Sequence, residues 1–354
     1  MTFREAIDRM HRRPPGDRCL VYLDQWALSG MVRDAPGFAG LLARLQEGVD
    51  AGAVICPASH EHRSESILAD RGLWAALDEL ADKLSLGIEF HPREEVEAHE
   101  LAAAACEFSR CRPEGELWAE AFTANPHAPR DEPFMEFFGG QIRVRAVLPP
   151  NELEQDEVTR QKAIAERMNE AYEELRREGF TYEELAEANL QKMFNWKLGP
   201  LLDKRGFSRE LALARRNLVA DPSTLTVGRI KTLVNRLAMV TQLTDRYPAI
   251  NEHPEDFRGS EALRCVPTLR YPALFRAALT TARNRKARPG DELDVEHLIR
   301  GLSRCDVATA DRSMAHLVRE RELVPQGCQL ISGSEGPDGI IAALDAWRPS
   351  GPTS

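Results

Sequence analysis

Short apolar runs alternate with amphipathic helical segments at both ends of the chain. Five runs have the length and composition of buried strands, at residues 20–24, 53–57, 87–91, 306–310 and 328–332. Segments with helical periodicity follow most of them, as in "FAGLLARLQEGVDAG" and "DRSMAHLVRER". Strands that alternate with helices favour a parallel sheet covered on both faces. We therefore predict an α/β fold for the two ends of the chain.

The middle of the chain is almost entirely helical in its periodicity. Residues 152–178 predict a long charged helix, and Thr181 with Glu184 three residues later is typical of a capping box. No repeat or low-complexity tract interrupts the pattern. The simplest organisation is a discontinuous α/β domain, residues 1–92 and 288–354, divided by an all-helical insertion, residues 93–287.

Several acidic residues lie near the predicted carboxyl ends of the strands or beside them, where parallel sheets usually bind ligands. They are Asp24, Asp294, Asp306, Asp311 and, after the second strand, Glu61 or Glu65. Carboxylates gathered at one edge repel one another unless a cation neutralises them. An all-oxygen set suits Mg²⁺ or Mn²⁺, which can activate water and stabilise an in-line phosphoryl displacement. This pattern predicts a metal-dependent phosphodiester hydrolase.

Each acid also has a structural explanation. Asp294, in the first turn of a helix, complements the helix dipole, and Asp311 can be the N-cap of the following helix. Glu61 and Glu65 can be a solvated helix start, and the helix register decides which of the two points inward. Asp24 is different, because an acid that closes a hydrophobic strand has no evident structural role in the sequence.

The segments "VYLDQW" (residues 21–26) and "LDVEHLIRGLSRCDVATADRSM" (residues 293–314) resemble PIN-like nuclease domains. The resemblance covers residues 18–92 and 288–347. It implies a three-layer fold, with a parallel sheet flanked by helices, in which three or four acids hold Mg²⁺ or Mn²⁺ for phosphodiester hydrolysis. By the resemblance, the metal ligands are Asp24, Glu65, Asp294 and Asp311, and Asp306 is an additional ligand or assists them.

The chain departs from the family pattern directly after the first acid. Many members have a small hydroxyl or amide pair there, whereas this chain has Gln25 and Trp26. Gln25 can still hold a metal-bound water, and Trp26 is expected in the core. We predict that the substrate is contacted near the metal by Gln25, His62, His297 and Thr309. His297 is alternatively a structural histidine.

Composition limits the class of protein. No apolar run is long enough to span a membrane, and the N-terminal residues lack an apolar signal core. Seven cysteines without a C-x-x-C pair argue against a disulfide framework and a structural zinc site. These features predict a protein of the reducing cytoplasm with no membrane partner.

The net charge of −10 argues against a uniformly basic nucleic-acid coat, but the charge is segregated. Acids dominate residues 151–187, and basic residues dominate 192–236 and 270–288. We predict phosphate contacts from Arg215, Arg216 and Lys231. Stacking on unpaired bases is predicted for Phe194, Trp196 and Tyr271, with solvated helix faces and aromatic core as the structural alternative.

Together these features predict a cytoplasmic Mg²⁺- or Mn²⁺-dependent endonuclease, with RNA favoured over DNA by the resemblance. Bacterial members of the family act as toxins or in antiviral defence. The acidic helix can also pair with the basic one, within the chain or in a homo-oligomer, and a regulatory partner is a further expectation. The alternatives are a degenerate PIN-like binding or scaffold protein and a small-molecule phosphohydrolase.

Overall fold

The computed structural model of this chain describes residues 18–59, 62, 71–85, 88–90, 93–110, 122–124, 150–220, 224–282 and 285–348. These residues fall into two compact units. The sheet unit contains the described residues of Pro15–His91, Phe122–Arg177 and Ala282–Ser354. The helical unit contains those of Pro92–Ala121 and Glu178–Thr281. Of the predicted insertion, residues 93–287, the described residues of the ranges 122–177 and 282–287 group with the sheet.

The sheet unit alternates strands and helices at both ends of the chain. In order it contains β1 (Cys19–Tyr22), α1 (Gln25–Val32), α2 (Phe38–Asp50), β2 (Val54–Ile55), α3 (Arg71–Ser85) and β3 (Ile88–Phe90). After α4 (Arg93–Phe108) of the helical unit come β4 (Phe122–Ala124) and α5 (Pro150–Glu178).

The helical unit continues with α6 (Tyr182–Lys197), α7 (Gly199–Leu202), α8 (Lys204–Ala220), α9 (Thr224–Arg246), α10 (Pro248–Glu252), α11 (Pro254–Gly259), α12 (Glu261–Arg264) and α13 (Pro267–Thr281). The sheet unit then resumes with α14 (Asp291–Arg304), β5 (Val307–Ala310), α15 (Arg312–Glu320), β6 (Gln329–Ser332) and α16 (Gly336–Ala346).

Four parallel strands form the main sheet, in the order β2-β1-β5-β6. The predicted parallel sheet is therefore confirmed, but it is small and the described chain is mostly helical. The PIN-like three-layer arrangement stays a prediction. The third predicted strand, β3, does not join this sheet but pairs antiparallel with β4. An apolar run has the same pattern in either setting, so the sequence did not distinguish the two pairings.

Side chains of β1 alternate between the two faces of the sheet, as strand geometry requires. Val21 and the following Leu23 belong to the larger core, which also contains buried residues of α1, α2, α3 and α16. Leu20 and Tyr22 belong to a smaller core on the other side. There α14 approaches closely, since a Cβ placed on Gly301 would lie 3.1 Å from the Tyr22 ring. Both faces of β1 are thus buried, and its carboxyl end is fixed in position.

The helical unit has its own core and its own polar contacts. The core includes Phe194 on α6, Phe257 on α11 and Leu269 on α13. The predicted capping box of Thr181 and Glu184 is confirmed at the start of α6. Among the described residues, no helix is long and apolar enough to cross a membrane.

Candidate metal centre at the sheet edge

Asp24 lies two residues beyond the end of β1 and begins α1. Its carboxylate Oδ1 accepts a hydrogen bond of 2.6 Å from the Gln25 N–H, which makes Asp24 the N-cap of the helix. Its own N–H donates to the Thr309 hydroxyl oxygen at 2.6 Å, and that hydroxyl donates to the Tyr22 carbonyl oxygen at 3.3 Å. The structure therefore gives Asp24 a capping role that the sequence did not suggest, and it fixes an almost fully buried carboxylate beside β5.

Asp311 occupies the equivalent place on the neighbouring strand. It follows β5 directly and is the N-cap of α15, with its Oδ1 accepting a 2.6 Å hydrogen bond from the Met314 N–H. Tyr22 pairs with Ala308 across the two parallel strands, so Asp24 and Asp311 follow the same ends of adjacent strands. Such strands lie about 5 Å apart. The predicted N-cap role of Asp311 is confirmed, and the structure brings the two acids to one edge.

Asp291 is a third acid at this edge, and the sequence analysis did not single it out. It follows Gly290, whose φ of 97° is a conformation that glycine adopts readily. The carboxylate is 2% exposed and binds the Arg285 guanidinium at 2.6 Å and the Arg288 N–H at 2.9 Å. Burial raises the pKa of Asp291 against the effects of Arg288 and Arg285, and the charge of Asp311 raises it further. Asp291 and Asp311 therefore interact electrostatically.

The other two predicted aspartates have different environments. Asp294 lies one helical turn after Asp291, in the first turn of α14 as predicted, and is partly exposed. Asp306 precedes β5 and accepts a hydrogen bond of 3.0 Å from the Leu20 N–H. The four residues of β5 lie between it and Asp311, and five residue steps along a strand span about 16 Å. The prediction of Asp306 as an additional ligand is therefore corrected, because Asp306 joins the opposite end of β5 to β1.

His62 and His297, two of the residues predicted to contact substrate, are buried in a polar network with Tyr22 and Ser59. The Tyr22 hydroxyl lies 2.8 Å from the Ser59 hydroxyl oxygen and 2.7 Å from Nδ1 of His297. The Ser59 N–H donates to Nδ1 of His62 at 3.2 Å, and Nε2 of His62 lies 2.6 Å from the Leu23 carbonyl oxygen. A carbonyl only accepts, so Nε2 of His62 carries the proton. The network fits a structural role for both histidines.

The segment before α14 is held by the long helix α5. The Asn169 side chain exchanges hydrogen bonds with the backbone of Ala287, at 3.1 Å and 2.6 Å. Arg176 donates to the Arg285 carbonyl oxygen at 2.9 Å. The Arg285 side chain also contacts the Ser313 hydroxyl on α15. Arg285 thus connects α14 with α15, the helix that Asp311 caps. The sequence "ARNRKARPGDE" indicates only basic residues before an acidic helix start.

The donors at this edge suit a hard divalent cation only if water and substrate complete the coordination. Mg²⁺ is commonly bound by one or two carboxylates together with waters and phosphate oxygens. Asp24 and Asp311 can supply the carboxylates. Within the described ranges, no group of three or more His, Cys, Asp or Glu side chains could hold a metal ion. Glu65 and its alternative Glu61 lie outside the described residues. The chemistry of Asp24 and Asp311 therefore fits a two-carboxylate Mg²⁺ or Mn²⁺ site.

The predicted nucleic-acid contacts of the helical unit differ in the exposed fraction of their side chains. Phe194 and Tyr271 are almost fully buried, so the core alternative is correct for both, whereas Trp196 is 44% exposed. Arg215 and Arg216 are exposed on α8, as phosphate contacts require. The side chain of Lys231 lies outside the described part of the structure.

No family model, no curated protein and no solved structure matches this chain. Its function must therefore be inferred from the arrangement of its own residues.

Proposed function

We propose that the chain is a Mg²⁺- or Mn²⁺-dependent PIN-like endonuclease that hydrolyses phosphodiester bonds, with RNA favoured over DNA. One observation carries this proposal. Asp24 and Asp311 follow adjacent parallel strands, each as the N-cap of the next helix, at the sheet edge where ligands bind. An Asn or Ser would serve as an N-cap equally well, so capping alone does not require a carboxylate at either position.

The residues of the edge have distinct roles in the proposed reaction. A bound divalent cation would lower the pKa of its water and offset the charge that develops on the phosphate. Asp24 and Asp311 would hold the cation through carboxylate oxygens, while their Oδ1 atoms keep the helix caps. The Thr309 hydroxyl fixes the backbone of Asp24. Arg285 holds Asp291 in place and adds positive charge near Asp311.

A cytoplasmic location belongs to the same proposal. The six cysteines of the described residues are buried and none forms a disulfide, which fits a reducing compartment. A role as a toxin or in antiviral defence rests on the resemblance alone. A regulatory partner and self-association likewise stay predictions.

The test is cleavage of end-labelled single-stranded RNA and DNA with Mn²⁺, with Mg²⁺ and with EDTA. Asp24→Asn and Asp311→Asn are the informative variants, because asparagine keeps the helix cap and removes the negative charge. We expect metal-dependent cleavage that each substitution reduces roughly 100-fold or more.

Asp345→Asn is the matched control, since Asp345 is an exposed aspartate on α16 that pairs with Arg44. It should cleave like the wild type. Cleavage that survives both Asp24→Asn and Asp311→Asn would refute the proposal. Metal binding without nucleic-acid cleavage, but with hydrolysis of small phosphate esters, would support the phosphohydrolase alternative.

A further inference from the structure

The most exposed tryptophan of the described residues lies on α6 beside two cations. Trp196 is 44% exposed, with Cζ of Arg236 4.2 Å and Nζ of Lys197 4.8 Å from its ring centroid. Phe180 is similarly exposed, at 45%, yet no cation lies over its ring in the part of the chain that the structure describes. Exposed aromatic rings are ordinary, but a ring held against two cations is a defined arrangement.

The two cations differ in how well their charge is compensated. Lys197 forms an ion pair with the buried carboxylate of Glu97. Arg236 is only 6% exposed, and its Nε and Nη1 have no hydrogen-bond partner among the described residues. Its nearest carboxylate oxygen belongs to Glu210, 4.0 Å away, and Glu210 also pairs with Arg229 at 3.4 Å.

A buried guanidinium without hydrogen-bonded counter-charge is unfavourable. Burial lowers the pKa of Arg236, and Glu210 offsets this effect only in part. Trp196 lies on one side of the guanidinium at 4.2 Å and Phe207 at 5.4 Å, and neither ring supplies an oxygen acceptor. An anionic ligand would therefore supply the hydrogen-bond acceptors that Nε and Nη1 of Arg236 lack among the described residues.

The tip of Arg236 lies beside Gly199, a partly exposed residue. A Cβ placed on Gly199, the first residue of α7, would lie 2.9 Å from Nη2 of Arg236. A side chain at this position would thus require Nη2 of Arg236 to shift. Exposed Lys192 precedes Trp196 by one helical turn, which adds positive charge on the same face of α6.

We propose that Trp196 and Arg236 form a binding site for a nucleotide unit, with the base stacked on the Trp196 ring and the phosphate paired with the Arg236 guanidinium. Base stacking on aromatic rings tolerates any base, and guanidinium groups bind phosphate oxygens through planar donors. The nucleotide can belong to a single strand or be free. The proposal rests on the proposed nuclease function only for the use of RNA as the probe.

The test measures binding without catalysis. Fluorescein-labelled oligouridylate is titrated in EDTA with full-length protein, and fluorescence anisotropy gives Kd. We expect Trp196→Ala to weaken binding about 10-fold and Trp196→Phe to keep most of the affinity, because stacking on an aromatic ring contributes strongly for each base. Gly199→Ala should also weaken binding, because it displaces Arg236 while it leaves the Trp196 side chain intact.

Phe180→Ala is the matched control, as it removes an equally exposed ring that has no cation beside it. We expect it to bind like the wild type. Thermal unfolding of each variant checks that the fold is retained. Wild-type affinity in both Trp196→Ala and Gly199→Ala would overturn the proposal, and so would equal losses in Trp196→Ala and Phe180→Ala.

Competition with uridine monophosphate identifies the source of the nucleotide. Displacement of the labelled strand by the mononucleotide, lost in Trp196→Ala, would show a site for a free nucleotide. Competition only by unlabelled strand would show a site for single-stranded nucleic acid. Either result supports the shared chemistry. Binding is measured without metal, so a failure of the proposed nuclease activity would leave this result unchanged, and the reverse also holds.

Discussion

The sheet edge and the helical unit both carry many charged side chains, but they hold them in different ways. At the sheet edge, backbone N–H groups fix Asp24 and Asp311 as helix caps. In the helical unit, several charged side chains pair with one another, such as Arg264 with Glu187 at 2.6 Å. An acid that backbone N–H groups hold at a sheet edge is a better candidate for function than a charge in an exposed ion pair. Arg236 differs from such pairs, because its Nε and Nη1 have no hydrogen-bond partner among the described residues.

The largest expected effect on the free energy of unfolding is at Asp291. Asp291→Ala would leave the Arg285 guanidinium buried without its carboxylate, and we expect a loss of roughly 3–5 kcal/mol in the free energy of unfolding. Glu187→Ala removes an exposed partner of Arg264 and should cost about 1 kcal/mol or less. Urea unfolding of both variants measures the difference. Equal losses would contradict the distinction between buried and exposed pairs.

Thr309 accepts a hydrogen bond from the Asp24 N–H and is expected to position this acid. Thr309→Val keeps the shape but removes the oxygen that accepts the Asp24 N–H, so we expect a loss of about 1–3 kcal/mol in unfolding free energy. If Thr309 positions Asp24, this variant also weakens Mn²⁺ binding, and Thr309→Ser restores it. Calorimetric titration with Mn²⁺ tests both variants. Unchanged Mn²⁺ affinity in Thr309→Val would leave Thr309 with a purely structural role.

The smallest expected effect concerns pH. Partial burial raises the pKa of Glu335, but the Ser332 N–H and Arg319 together lower it by more. The pKa of Glu335 therefore lies below its ordinary value. The stabilisation from this carboxylate is therefore present above the unfolded-state pKa and is lost as the pH falls through the lower folded-state pKa. Glu335→Gln should unfold at a lower urea concentration at neutral pH and differ less from the wild type near pH 3. A difference that grows on acidification would contradict the direction of this shift.

Much of the fold could be predicted because burial determines it. The apolar runs of β1, β5 and β6 lie within one residue or two of their predicted places, and Thr181 caps α6 as expected. The pairing of β3 with β4 could not be predicted, because pairing depends on a distant segment and not on local periodicity.

The candidate site was predictable only in part. Strand-end acids are visible in the sequence, and Asp24 and Asp311 follow the same ends of adjacent strands. The sequence does not show which face of α14 meets the edge, so it points to Asp294 and not to Asp291. The sequence also does not show the hydrogen bonds of the two histidines. His297 bonds to the Tyr22 hydroxyl, and His62 bonds to Ser59 and a backbone carbonyl. These contacts join residues far apart in the chain.

The central claim is that Asp24 and Asp311 together form a divalent-cation site. It is tested most directly by calorimetric titration of Mn²⁺ into the wild type, Asp24→Asn, Asp311→Asn and the Asp345→Asn control. The account predicts saturable binding in the wild type and in Asp345→Asn, and its loss in each of the other two variants while their unfolding transitions stay cooperative. Mn²⁺ binding of wild-type affinity in both Asp24→Asn and Asp311→Asn would contradict it and leave the two acids as helix caps alone.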